Sequence, residues 1–359
     1  MSSEEASGPA GTAEIDARIM ELIRMRRDAA LREGSLRTDA GLPAVDPSAE
    51  KAALERYSRM ASDNGTDPDT AESVCRALVK ESAELLSRMP RRGSSLRICI
   101  VGGGGRMGAW FAHLLGASGH RLDIVDPGSD NGLGIRDAAL ADVVIISTPI
   151  HAVEGVLSEL DGICGPDTLI MDVSSLKSPF CDTIREMASR REVCSLHPMF
   201  GPSAASMYGR NLIICDCGCP RASEAALELF GGYGAHIRRM PVEDHDAYMS
   251  YVLGLSHAVN IAFFTVLERS GISFEDMMSV ASTTFNKNLE ANRSVALEDP
   301  MLYYEIQRLN SNSQGMWGMF SGAVEDLRRA SLSEDPSEFA DLMSRGRRYF
   351  SPGNSDDGR

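Results

Sequence analysis

Three stretches of this chain place reactive residue types at informative spacings. The first is the run Gly102 to Gly108, in which Gly103, Gly105 and Gly108 form G-x-G-x-x-G around Arg106 and Met107. Such glycines let the backbone turn tightly, approach a pyrophosphate and pack a helix onto a strand, while the helix N-terminus offers amides and partial positive charge. Alone the pattern is weak. Here the apolar residues Ile98 to Val101 precede it, a helix opens near Arg106, and a second strand ends in Asp126, 23 residues past Gly103. That context is the dinucleotide fingerprint. An acid at the end of the second strand accepts from a ribose 2′-hydroxyl and repels a 2′-phosphate, so NAD is favoured over NADP. The other two stretches are Ser174-Ser175-Leu176-Lys177 and Leu196-His197-Pro198-Met199-Phe200-Gly201-Pro202. A histidine that titrates near neutral pH suits proton transfer. The plainer alternative for His197 is a loop histidine bonded to backbone, and for Lys177 a solvated amine.

These residues need strands to position them. Val143 to Ser147 reads as a buried strand ending in Thr148-Pro149. Thr168 to Val173 reads as another, and Val193 to Leu196 as a third that delivers His197. Helical stretches, His151 to Leu160 and Pro179 to Arg190, alternate with them. The alternation predicts a parallel sheet with crossover helices: an α/β Rossmann-type dinucleotide-binding domain over residues 96–240. Ligands of such sheets bind beyond the carboxyl ends of the strands, where Thr148, Ser175, Lys177 and His197 all fall, and these are expected to converge on one crevice with the glycine loop.

On both sides of this domain the chain reads as helix. Residues 13–89 predict an all-α domain of three helices. The first, Ala13 to Glu33, carries an apolar stripe of Ile15, Ile19, Leu22, Ile23, Ala29 and Ala30. Arg26 falls on the same stripe, either snorkelling to the surface or aimed into a pocket for a carboxylate. Asp46-Pro47 and Asp67-Pro68 each read as an N-cap followed by proline at the first helical position. They open helices running through Met60 and up to Pro90. A module this small gains from a partner chain that completes its core. Residues 90–95 read as a basic linker, 241–350 as an all-α dimerisation and substrate domain, and 1–12 and 351–359 as disordered ends. Tyr248 to Ser270 is the most apolar helix. Ser, His and Asn interrupt it and no second apolar run follows, so it reads as a helix buried between two subunits and not as a membrane span.

Composition narrows the class. The 359 residues carry 36 basic and 51 acidic side chains, a net charge of −15, which disfavours nucleic acid as a partner. The acidic, small-residue start has no apolar signal core. The eight cysteines sit mostly in apolar contexts, as reduced core thiols do, so a cytoplasmic location is expected. Cys215, Cys217 and Cys219 alternate, but the usual C-x-x-C metal spacing is absent and no metal is predicted.

The N-terminal helices resemble the all-helical chorismate mutase family. Ile15-Asp16 matches its start of helix one, Arg26 its helix-one arginine, Arg37 a basic position and Glu50 the acid early in helix two. The family's arginine near the start of helix one has no counterpart, its arginine before the acid is Ala49, and its polar residue late in helix three is Leu86. The resemblance implies a site for a dicarboxylate, chorismate, built from Arg26, Arg37 and Glu50. The departures predict weak or absent turnover, which efficient conversion of chorismate by residues 1–92 alone would refute.

Residues 96–345 resemble the prephenate dehydrogenase family. The resemblance rests on the glycine loop, Thr148-Pro149, Asp172 to Lys177, the His-Pro-Met-Phe-Gly-Pro run from His197, and Gly254-Leu255-Ser256-His257, in that order. It implies NAD-dependent oxidative decarboxylation of prephenate to 4-hydroxyphenylpyruvate in tyrosine biosynthesis, by a homodimer. It implies His197 as the proton acceptor and Ser175 as its helper. Lys177 and His257 would bind substrate, although a lone histidine on an apolar helix is otherwise a core residue. Arg293, ahead of Asp299-Pro300-Met301-Leu302-Tyr303, is the implied carboxylate fork. It lies one residue further from that segment than the family pattern has it, which leaves Arg210 and Arg308 as alternatives. His113, His120, His151, His236 and His245 read as surface or packing residues. Arogenate dehydrogenase is the rival enzyme, and an NAD-binding regulator that senses an aromatic ligand is the rival of another class. Tyrosine is an expected inhibitor that no residue reveals.

Overall fold

The computed structural model describes residues 11–46, 48–89 and 95–351. The expectations for residues 1–10, for Pro47 as a first helical position, for 90–94 of the linker and for 352–359 lie outside them. The chain divides into two compact units, Met1–Ser175 with Phe180–Glu243, and Leu176–Pro179 with Asp244–Arg359.

The first unit holds a seven-stranded sheet and the N-terminal helices. The strands are β1 (Arg97–Val101), β2 (Arg121–Val125), β3 (Val143–Ile146), β4 (Leu169–Asp172), β5 (Val193–Pro198), β6 (Asn211–Asp216) and β7 (His236–Pro241), in the spatial order β2-β1-β3-β4-β5-β6-β7. β1 to β5 run parallel, with α4 (Arg106–Ala117) after β1, α5 (Val153–Ile163) after β3 and α6 (Cys181–Ala188) after β4. β3, β4 and β5 are buried at every position, as continuous apolar runs must be when helices cover both faces. The all-parallel expectation is corrected at β6, which pairs antiparallel with β5. The 199–210 connection between them contains no crossover helix, so the chain returns in the opposite sense. β7 then pairs parallel with β6 after α7 (Pro220–Phe230), and its exposed Arg238 and Arg239 and terminal Pro241 suit a sheet edge.

The N-terminal module contains α1 (Thr12–Asp39), α2 (Ala49–Asn64) and α3 (Pro68–Leu86). The first helix starts at Thr12, inside the stretch read as disordered, and runs past Glu33. It passes through Gly34, where a Cβ would strike the Leu86 side chain, and stops before Gly41, whose φ of +76° only glycine adopts at low cost. Asp67 caps α3 by accepting from the Thr70 amide at 2.9 Å, with Pro68 at the first position. Asp46 does not cap α2. Its carboxylate instead accepts from the amide (2.9 Å) and hydroxyl (2.7 Å) of Ser48, and that turn precedes the helix at Ala49. The module's buried apolar residues are mostly small: Ala53, Cys75 and Val79 form one cluster with Leu54, Tyr57 and Tyr208 packed against it, and Ala44, Val45, Ala61, Ala71 and Ala83 are buried besides. Ile15, Ile19 and Leu22, on the apolar stripe of α1, are each about half exposed in this single chain (47%, 47% and 54%).

The second unit is helical. α8 (Val242–Met249), a π-helical turn at Ser250–Leu255 and α9 (Ser256–Arg269) follow one another without a break. Next come α10 (Phe274–Ser279), α11 (Thr283–Ala296), α12 (Pro300–Leu309), α13 (Ser313–Leu332) and α14 (Ser337–Phe350). Val242–Arg269 is the one run among the described residues long and apolar enough to cross a membrane by length and composition.

Candidate active site

In the first unit the glycine loop joins β1 to α4 (Arg106–Ala117). The left-handed residue of this turn is Gly102, with φ +82°, one position earlier than the Gly103 assigned to the tight turn. A Cβ on Gly102 would lie 2.6 Å from the Ser147 carbonyl oxygen and 2.9 Å from the Thr148 amide. The loop therefore presses against the end of β3. A Cβ on Gly108 would strike the Gly102 carbonyl, and one on Gly104 would meet the Asp126 carboxyl at 2.7 Å. Gly105 is the N-cap of α4 and supplies no side-chain cap, which leaves the first-turn amides to another acceptor. Arg106 in that turn is exposed, whereas Met107 packs toward the core.

Asp126 stands beside this loop. One carboxylate oxygen accepts from the Gly104 amide and the other from the Gly128 amide, both at 3.0 Å. Thr148 follows β3, and its hydroxyl oxygen is buried without a hydrogen-bond partner. Pro149 next to it is exposed. Ser175 follows β4 and is half-buried. His197 occupies the carboxyl end of β5 and is 4% exposed. The glycine cradle, the Asp126 carboxylate and the orphaned Thr148 hydroxyl fit a dinucleotide. β1, β3, β4 and β5 are neighbours in the sheet, so their carboxyl ends bring the cradle, Thr148, Ser175 and His197 to one edge.

Lys177 and His257 belong to the second unit. The lysine is wholly buried, which removes the solvated-amine alternative. Its segment is clamped by Asp246, a residue that sequence reasoning passed over. The Asp246 carboxylate accepts from the Lys177 amide at 2.9 and 3.0 Å, from the Ser178 amide at 2.6 Å and from the Ser178 hydroxyl. The His245 Nδ1 lies 2.7 Å away, so His245 is a buried partner of Asp246 and no surface residue. Burial pushes the Asp246 carboxyl up, yet His245 and Ser178 together hold it below its ordinary value. The available signal was Asp244-His245-Asp246, an odd polar cluster at the start of an apolar helix.

His257 follows the π-helical turn, a feature common at functional sites. Its ring stacks on Tyr303, with centroids 4.1 Å apart and planes 30° from parallel. Asp299 caps α12 from the turn before, which fixes the face that Tyr303 presents. The His257 Nδ1 is buried without a hydrogen-bond partner, and burial pushes the imidazole down to about 4. It is therefore neutral at pH 7. Below its ordinary 6.5 the unfolded chain takes up a proton that the folded chain refuses, so stability falls as pH drops from 6.5 toward 4. The loss is about 3 kcal/mol over that window. Urea unfolding at pH 7 and pH 4.5 will show it, and His257→Phe will flatten the difference. An unchanged difference in that variant would contradict the assignment.

Arg293 is exposed on α11. It lines an apolar groove with Phe264, Phe274, Phe285 and Leu297, whose lining includes neither His257 nor Tyr303. Arg308 is exposed on α12. Arg210, in the first unit, lies over the Phe200 ring at 5.9 Å, beside the His-Pro-Met-Phe run. In the N-terminal module, Arg26 donates to the Leu78 carbonyl (2.8 Å) and the Ser82 hydroxyl (3.0 Å), and Arg37 to the Pro43 carbonyl (2.9 Å) and Asp46 (3.1 Å). Both line a cavity of about 170 Å³ with Arg56, which sequence reasoning missed, and with Leu86; Glu50, the third predicted residue, is not in its lining and accepts from Arg76 at 2.9 Å.

A glycine cradle for a dinucleotide and a buried histidine at another strand end of the same sheet define a Rossmann-type dehydrogenase. Family models place the chain further. Residues 10–86 match chorismate mutase type II, residues 116–238 the nucleotide-binding domain of prephenate dehydrogenase, and residues 241–345 its dimerization domain. The T-protein of Enterobacter agglomerans is 29% identical over 295 residues, 81% of this chain and 78% of that protein. The T-protein of Haemophilus influenzae is 27% identical over 339 residues, 94% of this chain and 89% of that protein. Prephenate dehydrogenase from Aquifex aeolicus, solved with hydroxyphenyl propionate and NAD+, superposes with a TM-score of 0.58 at 19% identity, over 74% of this chain and 100% of that one. The chain belongs to the prephenate dehydrogenase family and carries an N-terminal domain of the chorismate mutase type.

Proposed function

We propose that this protein oxidises and decarboxylates prephenate to 4-hydroxyphenylpyruvate with NAD. The observation that carries the reading is the sheet edge that sets the glycine cradle and the buried His197 on strands of one sheet. Gly103, Gly105 and Gly108 with the first turn of α4 hold the pyrophosphate, and Asp126 accepts from the adenosine ribose. When bound, NAD accepts the hydride from the ring carbon that bears the hydroxyl. His197 takes the hydroxyl proton as that carbon is oxidised, and Ser175 orients the imidazole or the ring hydroxyl. Lys177, His257 and Arg293 bind the substrate. Loss of carbon dioxide aromatises the ring and supplies driving force. The test is a steady-state assay of NADH or NADPH formation with prephenate and with arogenate, each against NAD and NADP. Prephenate with NAD is expected to give the highest kcat/KM, and a preference for arogenate would overturn the substrate assignment.

Asp126→Ser removes the charge that repels a 2′-phosphate. It is expected to raise the NADP-to-NAD ratio of kcat/KM by roughly tenfold or more. An unchanged ratio would remove Asp126 from cofactor choice.

The same reading makes the N-terminal cavity a chorismate site of weak turnover, with tyrosine as an inhibitor of the dehydrogenase. Tyrosine that alters neither affinity nor rate removes that last part. The exposed apolar residues Tyr251, Val252, Val259 and Val266 of the Val242–Arg269 run suit a second copy of the chain in a cytoplasmic homodimer. A monomer at micromolar concentration in sedimentation would exclude it.

A further inference from the structure

One side chain of the sheet-bearing part of the first unit reaches into the helical module. Tyr208 lies on the 199–210 connection that leaves β5 eleven residues after His197. Its ring packs on the module's core of Ala53, Cys75 and Val79, and it forms part of the wall of the cavity that Arg26, Arg37 and Arg56 line. Its hydroxyl donates to one Glu50 carboxylate oxygen at 2.9 Å, while Arg76 donates to the other at 2.9 Å. Glu50 is thus held from both sides, by its own module and by the connection.

Other contacts fix the connection itself. The Trp110 indole donates to the Ala204 carbonyl at 2.6 Å, and Arg88 donates to the Ala205 carbonyl at 3.2 Å. Gly234, at φ +75°, lies under the Tyr208 ring, and a Cβ there would sit 2.7 Å from it. Burial, and then the Glu50 carboxylate, push the Tyr208 phenol up, so it remains a donor across the working pH range.

We propose that Tyr208 is a positioning residue of the chorismate site: it closes one wall of the cavity from the dehydrogenase side and fixes Glu50 beside it, so that the site is complete only when both modules are present. This rests on the reading of Arg26, Arg37 and Glu50 as a mutase-type site. It also accounts physically for a module whose core cluster of Ala53, Cys75 and Val79 takes one of its aromatic walls from Tyr208.

The test uses the full chain with chorismate consumption and prephenate-dependent NADH formation as separate readouts. Tyr208→Phe keeps the ring and removes the hydroxyl. It is expected to lower kcat/KM for chorismate by roughly ten- to a hundredfold, the size of a hydrogen bond to a charged group. Prephenate oxidation is expected to stay unchanged, and the thermal unfolding midpoint to fall by only a few degrees, the size of one lost hydrogen bond. Glu50→Gln will lower chorismate turnover as well, and adding Tyr208→Phe to it will cost little more, because both changes break one interaction. Wild-type chorismate turnover in Tyr208→Phe, a fully additive double variant, or an equal fall in both activities would each overturn the proposal. A wild-type chain that does not consume chorismate would overturn the mutase reading itself and this proposal with it.

Discussion

His197→Asn is expected to lower kcat for prephenate oxidation by about 10²- to 10⁴-fold, the range that general acid–base catalysis supplies. Asparagine preserves much of the shape and hydrogen bonding of the imidazole but cannot take the proton that the ring hydroxyl releases. The site is buried at the carboxyl end of β5, so bulk water is a poor substitute acceptor. KM for prephenate is expected to change only severalfold, since binding is assigned to other residues. NADH formation under saturating NAD measures both. Equal rates in the two proteins would remove His197 from the chemistry and leave it a packing residue of β5. Ser175→Ala is a milder companion, about tenfold, because the hydroxyl only orients its partner and is half-buried.

Asp246→Ala is expected to have the largest effect on stability, about 3–5 kcal/mol, the cost of removing one partner from a buried charged network. The side chain of Asp246 is 5% exposed and that of His245 wholly buried. Without the carboxylate, the Lys177 amide, the Ser178 amide and hydroxyl and the His245 ring lose their acceptor together. Asp246→Asn keeps one oxygen and the volume, so it is expected to cost less. Urea unfolding of the two variants gives the order. A loss under 1 kcal/mol for alanine would show that water or another acceptor replaces the carboxylate. The pH dependence carries the same sign. The folded carboxyl is held below its ordinary 3.8, so its contribution is complete above that value and is lost as pH falls through the lowered one. In the dehydrogenase assay, Asp246→Asn is expected to raise KM for prephenate more than it lowers kcat, because it loosens the Lys177 segment and not the proton acceptor.

Much of the first unit's architecture was legible in the residues. Apolar runs at Ile98 to Val101, Val143 to Ile146 and Leu169 to Asp172 are buried on both sides, so burial forces a continuous signal that cannot be mistaken for a surface strand. The glycines announce themselves because a Cβ at Gly102, Gly104 or Gly108 would collide with backbone or with Asp126. His197, Ser175 and Thr148 followed from strand ends, since a parallel sheet gathers those ends on one edge. The reversal at β6 was not legible, because chain direction depends on whether a connection packs as a helix, and the 199–210 stretch has no periodicity to report.

What tertiary structure alone decided are the contacts between residues distant in the chain. Asp246 looks like one more acid ahead of an apolar helix until the fold brings Lys177 and Ser178 to it, 69 and 68 positions away. Tyr303 becomes informative only once it stacks on His257. Tyr208 shows no local pattern, yet it meets Glu50 across 158 positions. Periodicity and motif spacing record how a segment meets its immediate neighbours and solvent. They carry no record of which distant donor will satisfy a buried carboxylate, and that pairing decides how Lys177 and Glu50 are held.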